Sequence, residues 1–85
     1  DLWLEVDGIE RQRSNTRNMV CPVAELVRYI SEAMTLLPGD LILTGTPAGV
    51  AMGGKPPTFL RGGESLRFGV HGLGQQHHRI VADER

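Results

Sequence analysis

Residues 22–50 read PVAELVRYISEAMTLLPGDLILTGTPAGV, and this stretch decides the fold. Pro22 suits the first turn of a helix, where its missing N–H is not needed. Apolar residues then recur at helical spacing: Val23, Leu26, Val27, Ile30 and Met34. This spacing predicts an amphipathic helix that begins at Pro22, ends before residues 38–39 and buries its apolar stripe in the core. Residues 38–40 then predict a turn into an apolar strand over residues 41–44.

Working outward, both flanks predict antiparallel strands. Residues 2–7 alternate between apolar and polar, as in a half-buried strand. Asp7-Gly8 suits a tight type I′ turn and predicts a hairpin whose second strand runs from Ile9 toward Arg13. Downstream, residues 66–70 alternate as a strand, and residues 75–82 are predicted to pair back as the last one. The fold class is therefore α+β, mostly antiparallel β with one amphipathic helix packed on the strands.

Composition limits the classes of function. Eighty-five residues form one small domain at most. A net charge of −1 with a single lysine, Lys55, argues against a nucleic-acid partner. The only cysteine, Cys21, cannot form an internal disulfide, which favours a reducing compartment and a cytoplasmic location. No apolar run approaches the ~20 residues of a membrane span, so no membrane association is predicted.

The predicted strand over 41–44 runs into Thr44-Gly45-Thr46, our candidate binding site. The hydroxyls of Thr44 and Thr46 can donate to a carboxylate, and Gly45 lets the backbone approach a ligand closely. Exposed N–H groups at a strand end also form an anion-binding concavity. The alternative is an ordinary turn whose hydroxyls bond locally. Residue types alone leave both interpretations open.

Other polar residues receive plainer interpretations. Glu5 and Asp7 share a strand face, which we interpret as solvated rather than metal-binding. His77 and His78 are adjacent on a strand, so they face opposite sides and cannot hold one ion together. The segment 15–18 either braces a neighbouring active-site loop or simply leads into the helix. No catalytic residue is assigned.

Three stretches together resemble a known family. They are "VDGIERQRSNTRNM", "TLLPGDLILTGTPAGV" and "FLRGGESLRFGVHGLGQQHHRIV", and they resemble the C-terminal part of the fumarylacetoacetate hydrolase family. The likeness implies that residues 1–85 form the C-terminal segment of a catalytic domain with a mixed β-roll, without its N-terminal metal-binding part. It also implies a homodimer. Residues 62–64, Gly-Gly-Glu, replace the usual Pro-Gly-Asp, which weakens that turn, and Lys55 does not match the family's active-site lysine.

The same resemblance implies a chemistry. Family members bind Mg²⁺ or Mn²⁺, which chelates a 2-oxo acid, and the ligands lie upstream of the matched region, so none is in this chain. Thr46 would hold the substrate's carboxylate. The implied reaction is hydrolysis of a C–C bond in a 2,4-diketo acid of the acylpyruvate or fumarylacetoacetate type, and the isolated chain is expected to be inactive. The alternatives are an isomerase or decarboxylase of 2-hydroxymuconate-type acids, or a non-catalytic anion-binding β-domain.

Overall fold

A computed structural model describes residues 1–83, which form one antiparallel sheet and one α-helix. The strands are β1 (Leu2–Val6), β2 (Ile9–Ser14), β3 (Ser65–Val70) and β4 (Gly74–Arg79), and their order in the sheet is β2-β1-β3-β4. The helix α1 spans Val23–Ala33, and short 3₁₀ turns lie at Thr16–Asn18 and Ala51–Gly53. The predicted α+β class and the two hairpins are confirmed. No helix within residues 1–83 has both the length and the apolar character needed to cross a bilayer.

The β1–β2 hairpin turns at Asp7-Gly8, as predicted. Both residues have positive φ, 51° and 77°, which a type I′ turn requires. Asp7 also connects this turn to β3. Its N–H donates to the Ser65 carbonyl at 2.9 Å, and its carboxylate accepts from the Ser65 N–H at 2.8 Å. The Asp7 side chain therefore orders the turn.

A β-bulge interrupts the pairing of β1 with β2. Leu4 lies opposite Gln12, whereas the next residue, Glu5, lies opposite Glu10, so Arg11 is an extra residue on β2. A bulge bends its strand and changes the direction of the neighbouring side chains. It immediately precedes Gln12, whose side chain belongs to the site described below.

Two turns that lead toward strand-like sequence use the same side-chain device. The Asp40 carboxylate accepts from the N–H of Leu37, three residues earlier, at 2.7 Å. The Glu64 carboxylate accepts from the N–H of Arg61, also three residues earlier, at 3.0 Å. Residues 62–64 thus form a turn without the proline that the family usually carries, because the acidic side chain satisfies the backbone donors.

The helix is shorter and less covered than predicted. Pro22 lies at the N-cap, one residue before the helix, and Met34 already has extended backbone at the C-cap. The apolar stripe is present, but Val27 is 41% exposed and Met34 is 62% exposed. Within residues 1–83, the prediction that this stripe is packed in the core is wrong, because the sheet does not cover it.

The predicted strand over residues 41–44 is also wrong. This segment belongs to no strand of the described chain, and Leu41 and Leu43 are 90% and 94% exposed. A strand exists only where a neighbouring strand accepts its hydrogen bonds. Neither edge of the four-stranded sheet pairs with residues 41–44. The candidate residues therefore follow an irregular segment rather than the end of a strand.

Residues 1–83 enclose no hydrophobic core of their own. None of their apolar side chains is buried, and only Gly69 reaches that state. The Cα radius of gyration is 16.0 Å, whereas a compact domain of this length has about 12 Å. The sheet and helix therefore present apolar surfaces that another part of a protein would have to cover.

Candidate functional site

A groove of about 380 Å³ lies between the end of the β1–β2 hairpin, the first 3₁₀ turn and the segment 44–47. One wall consists of the predicted residues Thr44, Gly45 and Thr46 together with Pro47. The opposite wall includes Asn15, Thr16, Asn18, Met19 and Cys21. The three residues singled out from the sequence thus face a shared concavity with the 15–18 segment. Their role in binding a substrate stays a prediction.

Gln12 holds the Thr46 wall in place. Its side-chain Nε2 donates to the Thr46 hydroxyl oxygen at 2.8 Å and to the Pro47 carbonyl oxygen at 2.9 Å. These two bonds join β2 to a segment 34 and 35 residues further along the chain. The wall is therefore fixed to the sheet although it belongs to no strand.

Thr44 and Gly45 offer donors with no competing partner. The Thr44 hydroxyl makes no hydrogen bond within residues 1–83, and Thr44, Gly45 and Thr46 are all exposed. Gly45 has φ 91°, and no atom lies within 4 Å of the position that a Cβ would take. Gly45 is thus required by its backbone conformation rather than by crowding, and the space beside it is open to a ligand.

The opposite wall is stabilised by its own polar side chains. The Asn15 amide oxygen caps the 3₁₀ turn by accepting from the Arg17 N–H at 2.9 Å, and its Nδ2 donates to the Asp1 carboxylate at 2.7 Å. Asn18 Nδ2 donates to the Ser14 hydroxyl at 3.4 Å. The two asparagines thus shape the turn, which both leads toward α1 and faces the candidate wall.

The groove carries no net charge of its own within the described part of the chain. Its lining is made of hydroxyl, amide, thiol and apolar groups, and no Asp, Glu, Lys or Arg among residues 1–83 contributes to it. Hydroxyl and N–H donors can orient a carboxylate. They do not neutralise its charge, so an anion that another part of a protein enclosed in this groove would need a cation from elsewhere.

The described residues do not fit a metal site. No three His, Cys, Asp or Glu side chains cluster anywhere in residues 1–83. The two histidines of β4 have separate contacts: His77 Nε2 lies 2.7 Å from the Ser65 hydroxyl, and the His78 ring stacks on Phe68 at 5.6 Å. The part of the chain described, residues 1–83, therefore brings together no set of three side chains that could hold a metal ion.

Sequence reasoning did not assign a role to Gln12. Its strand reads as polar and solvent-facing, and nothing in its periodicity indicates a bulge at the preceding residue. The role of the side chain depends on a long-range approach of the 46–47 backbone. Only the family-like stretch that contains Gln12 could have drawn attention to it.

Comparison with known proteins gives a consistent result. A family profile described as "Fumarylacetoacetate (FAA) hydrolase C-terminal" matches residues 1–81. A protein from Burkholderia cenocepacia (strain HI2424), named "Putative hydrolase", is 59% identical over 80 residues. A relative from Burkholderia ambifaria (strain AMMD) with the same name is 61% identical over 77 residues. These alignments cover 93% and 89% of this chain but only 28% and 27% of the relatives' length.

Two solved structures share the fold. A fumarylacetoacetate hydrolase from psychrophilic Exiguobacterium antarcticum is 36% identical with a TM-score of 0.89, over 96% of this chain and 30% of that one. A 2-hydroxyhepta-2,4-diene-1,7-dioate isomerase from Mycobacterium marinum is 37% identical with a TM-score of 0.79, over 99% of this chain and 31% of that one. The likeness thus includes one hydrolase and one isomerase.

Proposed function

This chain belongs to the fumarylacetoacetate hydrolase family, and we propose that it supplies the carboxylate-holding wall of an enzyme that hydrolyses a C–C bond in a 2,4-diketo acid. The observation that carries the proposal is the position of Thr44, Gly45 and Thr46 on one wall of an open, uncharged groove. These residues present hydroxyl and backbone donors to a space large enough for a small acid. Substrates of the acylpyruvate and fumarylacetoacetate type have a carboxylate suited to these donors.

In this proposal the wall orients the substrate rather than activating it. The Thr46 hydroxyl donates to one carboxylate oxygen, and the Thr44 hydroxyl or the Gly45 N–H donates to the other. Fixing the acid end places the scissile bond at a constant distance from groups that lie elsewhere in the protein. The catalytic base is not assigned to this chain.

The charge balance supports a divalent cation in the complete protein. The groove lining offers no positive side chain within residues 1–83, so an anion held there would be left uncompensated. We propose that this cation is Mg²⁺ or Mn²⁺ and that residues outside this chain bind it. In this proposal residues 1–85 form the C-terminal segment of the catalytic domain. A chelator should abolish turnover by the complete protein and added Mg²⁺ or Mn²⁺ should restore it; turnover that survives the chelator would contradict this.

The central experiment uses the full-length protein that contains this chain, with acetylpyruvate and Mg²⁺. Thr46→Val keeps the shape of the side chain but removes the donor, so KM should rise by about tenfold or more. Thr35→Val is the matched control, because Thr35 is exposed and lies away from the groove. If Thr46→Val leaves both KM and kcat at the wild-type values, the proposed role of the wall is wrong.

The second candidate is an isomerase or decarboxylase of 2-hydroxymuconate-type acids. The structural likeness to the isomerase from Mycobacterium marinum specifically favours this reading. Product analysis separates these reactions: hydrolysis of acetylpyruvate yields acetate and pyruvate, a decarboxylase releases CO₂, and an isomerase changes the absorbance of its substrate without breaking the carbon chain. A self-sufficient anion-binding domain is disfavoured, because residues 1–83 bury no apolar side chain.

A homodimer and a cytoplasmic location are also part of the proposal. The family resemblance supports the dimer, and the single free cysteine supports a reducing compartment. Light scattering on the full-length protein tests the dimer directly. A monomeric mass would contradict it.

A further inference from the structure

The two hydrogen bonds of Gln12 determine which way its amide points. The Pro47 carbonyl oxygen can only accept, and it lies 2.9 Å from the end of the Gln12 side chain. The atom that faces it must therefore be the nitrogen, which carries two hydrogens. The second of these points to the Thr46 hydroxyl oxygen at 2.8 Å. Both amide hydrogens are used, and the orientation of the amide follows from the backbone.

This orientation fixes the role of the Thr46 hydroxyl. Because Gln12 donates to it, Thr46 Oγ1 acts as the acceptor in that bond, and its own hydrogen must be directed elsewhere. The only other acceptor near it in residues 1–83 is the Pro47 carbonyl at 3.5 Å, the outer limit of a hydrogen bond. The hydroxyl hydrogen is thus only weakly held and is available to an acceptor in the groove.

We propose that Gln12 is a positioning residue that occupies one lone pair of the Thr46 hydroxyl, directs its hydrogen into the groove and thereby favours an acceptor-only group, a carboxylate, at this wall. The inference rests on the proposed function, since it specifies how the wall recognises the acid. Gln12 itself lies behind Thr46 and acts through it. A ligand group that only donates, such as an ammonium, could use only the one lone pair that Gln12 leaves on Thr46, and the hydroxyl hydrogen would then lack an acceptor in the groove.

Two substitutions distinguish the effect of the hydrogen-bond direction between Gln12 and Thr46 from simple support of the wall by the Gln12 side chain. Gln12→Met keeps the length of the side chain and removes both bonds. Gln12→Glu keeps the shape but offers only acceptors, so the Thr46 hydroxyl turns to donate to it and the Pro47 carbonyl loses its donor. If the direction of this hydrogen bond matters, Gln12→Glu should raise the KM for acetylpyruvate more than Gln12→Met does. The expected rise for Gln12→Glu is about tenfold or more over wild type, with a smaller change in kcat.

A matched control variant and a double-mutant cycle between Gln12 and Thr46 test whether the effect is specific to this pair. Gln76→Glu makes the same change on the exposed edge strand β4, where the Gln76 oxygen already faces His78, so it should leave KM unchanged. Each Gln12 variant is also combined with Thr46→Val. If Gln12 acts mainly through the Thr46 hydroxyl, Gln12→Met should raise KM by a clearly smaller factor in the Thr46→Val background than in wild type, because only the bond to the Pro47 carbonyl is then left to lose.

The readouts distinguish failure of the inference from failure of the proposed function. They are KM, kcat and the dissociation constant of oxalate, a small dianion, measured on full-length proteins of comparable Tm in the presence of Mg²⁺. If the Gln12 variants raised KM by the same factor in the wild-type and Thr46→Val backgrounds, the positioning role would be wrong, while the proposed function would stand. A wild-type protein that neither turns over acetylpyruvate nor binds oxalate would overturn both.

Discussion

The backbone of Gly49 lies directly against the carbonyl of Arg11, at the bulge in β2. A Cβ built on Gly49 would overlap the Arg11 oxygen, and Gly49 has φ 110°, where an L side chain is strained. Together with the bonds from Gln12 to Thr46 and Pro47, this contact holds the segment 46–49 against the sheet at two places. The bulged part of β2 thus contacts the candidate wall and fixes its position.

Gly49→Ala in the full-length protein should therefore lower stability and disturb the wall. The positive φ alone costs about 1–2 kcal/mol, and the overlap with Arg11 adds to it. Gly72→Ala is the control, because Gly72 also has positive φ, 84°, but no atom within 4 Å of its would-be Cβ. Thermal unfolding should show the larger loss for Gly49→Ala, together with a raised KM for acetylpyruvate that Gly72→Ala does not share. Equal Tm shifts would contradict the close contact.

The 37–40 turn should depend on the Asp40 carboxylate. Asp40→Ala leaves the Leu37 N–H without its 2.7 Å partner, which should cost about 1 kcal/mol. Asp40→Asn keeps an acceptor oxygen and should recover part of that loss. For a protein of a few hundred residues the expected fall in Tm is a few degrees. A larger loss for Asp40→Asn than for Asp40→Ala would mean that the side chain does not cap this turn.

The sequence correctly predicted the elements that depend on residues close together in the chain. Asp7-Gly8 turns as its residue types require, and the strands around it follow their alternation, because the partner strand is adjacent in sequence. The apolar residues 41–44 look like a strand, but no strand in residues 1–83 pairs with them. Whether these residues form a strand depends on a partner strand that their own sequence does not specify.

The candidate wall divides in the same way. Thr44, Gly45 and Thr46 were candidates from their residue types, which the family resemblance favoured over an ordinary turn, and they line the groove. The role of Gln12 was not predicted, because it arises from a bulge and from contacts 34 and 35 residues away. A bulge shifts the register by one residue, and alternation of apolar and polar residues carries no signal for it in a strand as polar as β2.

The helix stripe provides a test of whether α1 is covered in the complete protein. Val27 is 41% exposed in residues 1–83, so Val27→Thr would cost almost nothing if the stripe stayed open. If another part of the protein covers it, the buried hydroxyl should cost about 1–3 kcal/mol. Glu25→Gln, off the apolar stripe, is the control and should lose only the favourable interaction of a first-turn acid with the helix dipole, about 0.3–1 kcal/mol. Urea unfolding of the full-length protein measures both, and a neutral Val27→Thr would show that this face remains solvated.

The isolated 85-residue chain should behave as an incomplete domain. It has no buried apolar side chain within residues 1–83, and large side chains such as Leu41 and Leu43 are almost fully exposed, so little free energy favours one compact state. We expect it to bind a dye specific for exposed apolar surface, to unfold over a broad temperature range and to show no turnover of acetylpyruvate with Mg²⁺. The full-length protein under the same conditions is the control. A sharp cooperative transition without dye binding would show that residues 1–85 stabilise themselves, and turnover would place the catalytic groups inside this chain.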